Sequence, residues 1–363
     1  MFMIDQFKIQ YSIVKYLMFI MAGCYIQGCI KDAPLNPEAD IVAFSVDSTQ
    51  VTGNTVIDQV ENKIQLYLTS DAFNTGVAPT IKLSSGATVT PASGDSIHPK
   101  DGTVQYTVTS QTGENKKTYT VEVINVGDWS FDFETWLVNK DDKYEYPVED
   151  GGVELWSSGN PGVALAGVPQ QPEAYPTHST TDAYSGTKAA ELVTIKGTLL
   201  SEIVGAHLFA GSIFLGTFNA TVALGNPLEA TEFGQPYIGL PESFTGYYKY
   251  APGPVYQDEN KNPVPGKTDQ CSIYAVLYKG PDRLNATNIN TSDRVIATAT
   301  LADGSAKSSF TKFNIPFTYK PGWDSTSKNL MMAIVASSSS EGAYYKGAIG
   351  SKLIVDSLAI IPK

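Results

Sequence analysis

The chain is poor in the residue types on which most enzyme active sites depend. It has 3 cysteines and 3 histidines in 363 residues, and charged residues make up only 17% of it. No pair of histidines has a metal-ligand spacing such as H-E-x-x-H, and neither a Gly-x-Ser-x-Gly elbow nor a P-loop occurs. No stretch keeps a 3.6-residue apolar stripe beyond two turns. These absences exclude the common motif-bearing hydrolases and disfavour a helical protein.

The charge balance excludes a second class of function. The 37 acidic residues outnumber the 25 basic ones, which gives a formal net charge of −12. No basic cluster reverses this balance locally, so nucleic acid and acidic lipid are repelled and neutral ligands remain compatible. The 31 glycines, 21 prolines and 20 tyrosines are typical of a turn-rich, β-rich surface or secreted protein.

Residues 1–28 predict a lipoprotein signal peptide. Two lysines precede the apolar run 16–26, which has the length of a signal-peptide core and is too short to span a bilayer. Cys24 and Cys29 both follow a lipobox-like triplet, and we prefer Cys29 as the lipidation site because it leaves the apolar run complete. Residues 29–38 then form a tether, and acyl chains on Cys29 predict anchoring at the outer membrane or cell surface. An ordinary cleaved signal peptide is the alternative.

The body of the chain has one thiol left, Cys271, and hence no intrachain disulfide. Strand alternation places Cys271 on the same face as Ile273 and Leu277. No histidine or asparagine lies nearby in sequence to activate the thiol, so we interpret it as a buried structural cysteine.

Residues 39–126 predict a small Ig-like sandwich. Alternating runs such as 41–46 and 63–68 are separated by Gly-containing turns, and 104–109 and 117–123 form a hairpin. Roughly seven short strands in this length are typical of an Ig-like domain without a disulfide.

Residues 127–363 predict a larger, all-β domain of the jelly-roll type. It opens with Trp129–Trp136, whose strict period of two predicts one strand with Trp129 and Phe133 toward the core and Glu134 and Trp136 toward solvent. Further strand-like runs cover 189–194, 212–218, 247–250, 273–278, 294–300, 310–317, 330–336 and 352–361. Two packed antiparallel sheets would bury the edges of so many short strands.

Two known families resemble these segments. The runs 41–44, 80–87, 91–94 and 119–123 resemble a small Ig-like domain that follows the lipid anchor in Bacteroidetes surface lipoproteins, which implies a spacer. The runs 129–136, 156–160, 210–218, 244–253, 269–276 and 346–356 resemble the "putative carbohydrate metabolism domain" of such lipoproteins, in the same order. The second resemblance implies a jelly roll similar to carbohydrate-binding modules. It departs at Asp356, where a single acid stands in place of an expected pair.

Solvent-facing aromatic rings are the ligand-binding candidates, because the C–H face of a pyranose stacks on them. Trp136 lies on the polar side of its predicted strand, and Trp156 lies in a turn-rich loop beside Asn160. The resemblance favours Trp156 and Asn160 over the other residues as ligand contacts. Packing between the sheets is the alternative for each ring.

A second aromatic cluster follows at 247–250. Alternation places Tyr248 and Tyr250 on one face, where we predict ligand contact, and Tyr247 and Lys249 on the other. Trp129 and Trp323 are assigned to the core.

Three carboxylates are candidates for chemistry or metal binding. Asp132 and Glu134, two residues apart on one strand face, would lie about 6–7 Å apart and could flank a glycosidic bond. Glu134 and Asp356 could hold a structural Ca²⁺ that pins the first and last strands of the sandwich. The alternative for both pairs is ordinary surface acids.

Three functions remain open, in this order. The first is a surface lipoprotein that binds glycan through its jelly roll, beside other envelope proteins that capture or degrade polysaccharide. The second is a structural or adhesive envelope subunit that contacts protein. The third is a glycoside hydrolase that uses Glu134 and another acid. No cofactor is expected apart from the calcium ion.

Overall fold

The computed structural model describes residues 34–99, 104–125, 129–149, 152–323 and 329–363. The predicted leader, Cys29 and the predicted boundary between residues 126 and 127 lie outside these ranges. No helix within the described ranges is long and apolar enough to cross a membrane.

The N-terminal module has seven strands and one short helix. In chain order these are β1 (Ile41–Ser45), β2 (Val56–Asp58), β3 (Lys63–Leu68), α1 (Ser70–Thr75), β4 (Thr80–Leu83), β5 (Thr88–Thr90), β6 (Val104–Thr109) and β7 (Lys116–Asn125). One sheet pairs β1 with β4, and the other has the order β2-β3-β7-β6-β5, in which β3 and β7 are parallel. Ile41, Ile64 and Val108 lie in the core between the two sheets. The predicted small sandwich and its β6–β7 hairpin are confirmed.

The C-terminal module has twenty-one strands and three short helices among the described residues. In chain order these are β8 (Ser130–Phe131), β9 (Trp136–Val138), β10 (Glu145–Pro147), β11 (Trp156–Ser158), α2 (Asn160–Ala164), β12 (Thr177–Thr180), β13 (Ala189–Val193), β14 (Ile195–Lys196), α3 (Leu199–Glu202), β15 (Leu208–Phe209), β16 (Ser212–Phe218), α4 (Ala220–Ala223), β17 (Thr231–Phe233), β18 (Gln235–Tyr237), β19 (Pro241–Ala251), β20 (Tyr256–Gln257), β21 (Ser272–Lys279), β22 (Leu284–Asn285), β23 (Val295–Thr300), β24 (Lys307–Pro316), β25 (Thr318–Tyr319), β26 (Leu330–Ser337), β27 (Gly347–Ala348) and β28 (Lys352–Pro362). Two 3-10 helices, Pro172–Ala174 and Gly342–Tyr344, complete the module.

Two sheets form the sandwich of this module. Sheet A has the order β22-β17-β16-β26-β21-β23-β25, with β11 and β18 paired to β16 and β26. Sheet B has the order β12-β13-β28-β19-β24, with β8 paired to β28. Their inner faces meet through residues such as Ile273, Ile334, Phe244 and Val355. The all-β prediction is confirmed.

Sheet A is also covered on its outer face over part of its area. Phe214, Val276 and Val335 belong to a second apolar cluster on that face. Because both faces are covered, β26 is apolar along nearly its whole length and lacks the alternation of a half-exposed strand. This second cluster borders the cleft described below.

The opening stretch Trp129–Trp136 is not one strand, contrary to the prediction. Trp129 and Phe133 have φ angles of 51° and 57°, in the left-handed region that interrupts a strand. Trp129 and Phe133 are buried as predicted, but the break also turns Trp136 inward. Cys271 is buried as predicted, and burial raises the pKa of its thiol to about 12.

The two modules are joined by a buried contact. Tyr67, at the end of β3, is fully buried and belongs to the main core of the C-terminal module. Its hydroxyl donates to Gln235 Oε1 at 2.9 Å, and Gln235 Nε2 donates to the Leu155 carbonyl at 3.0 Å. Gly53 lies against this contact, where a Cβ would stand 2.9 Å from the Tyr67 Cβ and 3.0 Å from the Pro236 carbonyl oxygen. The small module is therefore packed onto the large one.

Candidate functional site

A cleft of about 650 Å³ lies on the outer face of sheet A. Its floor comes from three neighbouring strands, β16, β26 and β21, whose register is fixed by pairing. Ser212 pairs with Ser337, and Ser337 pairs with Ser272. We call these three residues the serine row. The next outward-facing row is Phe214, Val335 and Tyr274. A strip of hydroxyls therefore lies beside a strip of apolar and aromatic side chains on the floor.

Short helices and their flanking turns form the walls of the cleft. Gly162 and Val163 of α2, Leu200 and Ser201 of α3, the turn after α4, and the 3-10 helix Gly342–Tyr344 all border it. Gly162 lets α2 approach sheet A, since a Cβ at this position would stand 3.0 Å from the ring of Phe218.

Five aliphatic side chains, the aliphatic rim, lie where the walls meet solvent. They are Leu165, Leu200, Ile203, Val204 and Leu224, and each is between 47 and 79% exposed. Exposed apolar side chains that are grouped in this way mark interaction sites more often than scattered ones do.

No charged residue lines the cleft among the residues that the structure describes. Its polar groups are hydroxyls and one amide. The Ser337 hydroxyl donates to the Ser339 carbonyl at 3.0 Å, whereas the Ser212 and Ser272 hydroxyls have no hydrogen-bond partner within the described part of the chain. Two half-buried hydroxyls of the serine row are thus free to bind a ligand, and the lining suits a neutral one.

The accessible aromatic rings of the cleft are Phe209, Phe218, Tyr274, Tyr344 and Tyr345. Tyr274 rises from the floor, and burial raises the pKa of its phenol well above the ordinary value, so it stays protonated. Its hydroxyl has no hydrogen-bond partner in the described ranges. Tyr344 is exposed on the wall. The cleft therefore offers ring faces and hydroxyls together.

The two tryptophans predicted to contact ligand lie in the core, so the expectation that they face solvent is wrong. Trp156 packs against Phe131 and Phe133 with ring-centroid distances of 5.0 and 5.1 Å, and its indole nitrogen donates to Glu149. Trp136 is buried, and its indole nitrogen donates to the Phe133 carbonyl at 2.7 Å. The alternative, packing inside the sandwich, describes both rings.

Tyr248, Tyr250 and Asn160 are also buried, contrary to the expectation of an exposed site. The Tyr248 and Tyr250 hydroxyls donate to the carbonyls of Asp303 and Ser338 at 3.1 and 3.0 Å. The Asn160 side chain donates to the Thr177 carbonyl at 2.7 Å. It thereby fixes the start of α2, so it supports the wall of the cleft and is itself fully buried.

Glu134 and Asp356 both accept hydrogen bonds from the same loop, residues 184–188. Glu134 accepts hydrogen bonds from the backbone and side chain of Thr187 and from the backbone of Lys188, at 2.8–3.2 Å. Asp356 accepts from the backbone N–H groups of Tyr184 and Ser185 at 2.7 and 3.0 Å. Within the described residues, no group of three or more metal-ligating side chains occurs. These hydrogen bonds stabilise the two carboxylates and tie them to the loop 184–188.

The proposed catalytic pair, Asp132 and Glu134, does not border the cleft. Asp132 is exposed, and its carboxylate accepts the Glu134 backbone N–H at 3.1 Å. Hydrogen bonds from Thr187 hold the pKa of Glu134 below its ordinary value, so the group stays ionised. A general acid for glycoside hydrolysis requires the opposite shift.

This lowered pKa predicts an acid-sensitive loop. Because the folded pKa of Glu134 lies below the ordinary value, its contribution is complete above pH 5 and is lost as the pH falls through the folded pKa. We expect Glu134→Gln to lower the free energy of unfolding by about 1 kcal/mol at pH 7 and by progressively less below pH 4. Urea unfolding of both proteins from pH 3 to 7 measures the difference, with Glu114→Gln as the exposed control. A difference that does not change with pH would contradict this assignment.

The loop held by Glu134 and Asp356 carries an exposed aromatic group that the sequence did not reveal. Tyr184 stacks on Tyr247 with a centroid distance of 3.4 Å, and Phe310 stands edge-on beside it at 6.1 Å. We call these three residues the Tyr184 platform. Alternation correctly placed Tyr247 and Tyr248 on opposite faces of the strand. It did not show which of the two faces is accessible to solvent.

The comparisons with known proteins agree on a relation to carbohydrate. Residues 132–361 match the family model described as "Putative carbohydrate metabolism domain", and residues 41–123 match the one described as "SGBP, N-terminal". A structure from Bacteroides thetaiotaomicron, described as "a putative glycoside hydrolase", is 35% identical, with a TM-score of 0.66 over 92% of this chain and 99% of that chain. A structure from Bacteroides vulgatus with the same description is 31% identical, with a TM-score of 0.59 over 64% of this chain and 98% of that chain. No curated protein matches the chain.

Proposed function

Because the chain belongs to the "Putative carbohydrate metabolism domain" family, we propose that it captures neutral glycan in the cleft on sheet A. The observation that carries this proposal is the lining: rings on the floor and wall, free serine hydroxyls, and no charge among the described residues. Apolar rings take the C–H faces of sugars, and hydroxyls bond their oxygens. A neutral lining within a molecule of net charge −12 favours an uncharged saccharide.

We further propose that the protein acts at the cell surface, anchored through Cys29. The apolar run 16–26 and the lipobox before Cys29 support the anchor. The match of residues 41–123 to a family named for its SGBP N-terminal domain supports a place among surface glycan-binding proteins. In this arrangement the small module spaces the cleft from the membrane, next to other envelope proteins that use the same polysaccharide.

Glycoside hydrolysis, which the names of the related structures suggest for those proteins, is not favoured for this cleft. Hydrolysis requires two carboxyl groups about 5–10 Å apart across the scissile bond. None of the described residues that line the cleft is Asp or Glu.

Affinity electrophoresis in gels that contain neutral polysaccharides tests the proposal. We expect Tyr344→Ala to weaken retention about 10-fold, because this exposed ring on the cleft wall loses its stacking with the sugar. Tyr184→Ala is the matched control, since Tyr184 is similarly exposed but lies in the Tyr184 platform on sheet B.

Two results would contradict the proposal. One is retention by no neutral polysaccharide in a broad panel. The other is retention that survives Tyr344→Ala and is lost in Tyr184→Ala, which would move the binding site to sheet B.

A further inference from the structure

The aliphatic rim is a feature of the cleft that saccharide binding alone does not explain. Leu165, Leu200, Ile203, Val204 and Leu224 border one opening and are all substantially exposed. Aliphatic side chains lack the quadrupole with which aromatic rings attract polarised C–H groups, so they gain little from a hydroxylated sugar surface. They gain from an apolar group, whose burial removes both surfaces from water.

Side-chain hydroxyls bond to backbone carbonyls in the segments that carry most of the rim. Thr198 and Ser201 form a capping box at the start of α3, and the Thr198 hydroxyl donates to the Ala166 carbonyl at 2.6 Å, which ties α3 to the end of α2. The Ser201 hydroxyl also donates to the Ala206 carbonyl at 2.6 Å. These bonds fix the backbone of both segments, which carry four of the five rim residues, and the rim side chains are exposed.

The short α3 helix separates charge from apolar surface. Glu202 pairs with Lys261 at 2.9 Å and neither residue lines the cleft, whereas Leu200 and Ile203 border it. The ion pair therefore leaves the rim free of charge. A ligand with an ionised headgroup would find no counter-ion among the described lining residues, and burying its charge there would be costly.

We propose that the saccharide bound in the cleft carries a neutral apolar substituent, such as an acyl ester or an alkyl aglycone, which lies against the aliphatic rim. This inference rests on the proposed function. The sugar contacts the serine row and the rings of Tyr274 and Tyr344, and the substituent contacts Ile203 and Leu224. The volume of about 650 Å³ suits a ligand of this size.

Three probes separate the two parts of such a ligand. Methyl β-D-glucoside supplies only the sugar, 1-octanol only the alkyl chain, and n-octyl β-D-glucoside, used below its micelle concentration, supplies both. Calorimetric titration of the full chain gives the three affinities. We expect the octyl glucoside to bind at least about 10-fold more tightly than either partial probe, since burying about two methylene groups is worth roughly that factor.

Rim variants assign the gain to these side chains. Ile203→Gln combined with Leu224→Gln is expected to reduce the octyl-over-methyl advantage below about 3-fold and to leave the affinity for methyl glucoside unchanged. Leu199→Gln is the control, because Leu199 is 87% exposed on α3, which ends directly before Ile203, but does not border the cleft. All three side chains are exposed, so the substitutions remove no core packing.

Each deviating outcome has one meaning. Equal binding of methyl and octyl glucoside overturns the inference and leaves the proposed function standing. Equal affinities for octanol and octyl glucoside would mean that the sugar contributes nothing to binding, which contradicts the proposed function. Binding of none of the three probes, together with self-association that the rim variant abolishes, overturns the inference in favour of an interface between two copies of the chain.

Discussion

Replacing Trp156 by alanine is expected to lower the free energy of unfolding by about 3–5 kcal/mol. The ring is 4% exposed, it packs edge-on against Phe131, and it also contacts Phe133. Alanine would leave a cavity between the sheets and remove the donor that the indole offers to Glu149. Urea or guanidinium unfolding, followed by circular dichroism, measures the loss.

Trp323→Ala is the matched control for this substitution. Trp323 is only partly buried at the margin of the same core, where it packs against Tyr319. We expect it to cost about 1–2 kcal/mol. If Trp156→Ala retained full stability and lost glycan binding, the indole would be a ligand contact and its position in the core would be wrong.

Removing the carboxylate of Asp269 is expected to cost about 3–5 kcal/mol as well. Asp269 is 1% exposed and accepts hydrogen bonds from the Ser339 and Ser351 hydroxyls at 2.5 and 2.7 Å and from the Ala348 backbone N–H at 2.8 Å. In Asp269→Ala these buried donors lose their partner together, and each unpaired donor carries a desolvation penalty. Because Ser339 borders the cleft, we expect ligand affinity to fall in the same variant.

Asp303→Ala tests whether burial is the cause. The Asp303 side chain is 64% exposed and pairs with Lys307 at 2.8 Å, which is a surface ion pair. Its removal should cost far less than the removal of Asp269, because an exposed ion pair contributes little to stability. Denaturant unfolding measures both variants. Equal losses in the free energy of unfolding would show that burial of the network around Asp269 does not increase its contribution to stability.

Much of the fold could be predicted from local pattern, because strands depend on alternation and turns depend on Gly, Pro and polar residues. The runs 63–68 and 212–218 coincide with β3 and β16. The prediction for the opening stretch was wrong at Trp136 because the left-handed backbone at Trp129 and Phe133 interrupts the alternation, and a period of two does not record such conformations.

The site was less accessible to prediction than the fold. Alternation gives relative orientation only, so it separated Tyr247 from Tyr248 without showing that Tyr248 faces the core. The serine row depends on the pairing of β16, β26 and β21, which are far apart in sequence, and no local pattern specifies it. One signal was present: the consecutive apolar residues of 330–336 indicate a strand covered on both faces, and hence a sheet with something packed on its outer side.

The hydroxyl of Tyr67, set inside the larger module against Gln235, has a mechanical consequence. A flexible linker alone would let the two modules turn independently, whereas this buried contact makes the small module and the cleft turn together. A force applied at the cleft would then pass into β3, which carries Tyr67, and on to the parallel pairing of β3 with β7. The orientation of the cleft relative to the small module is therefore fixed.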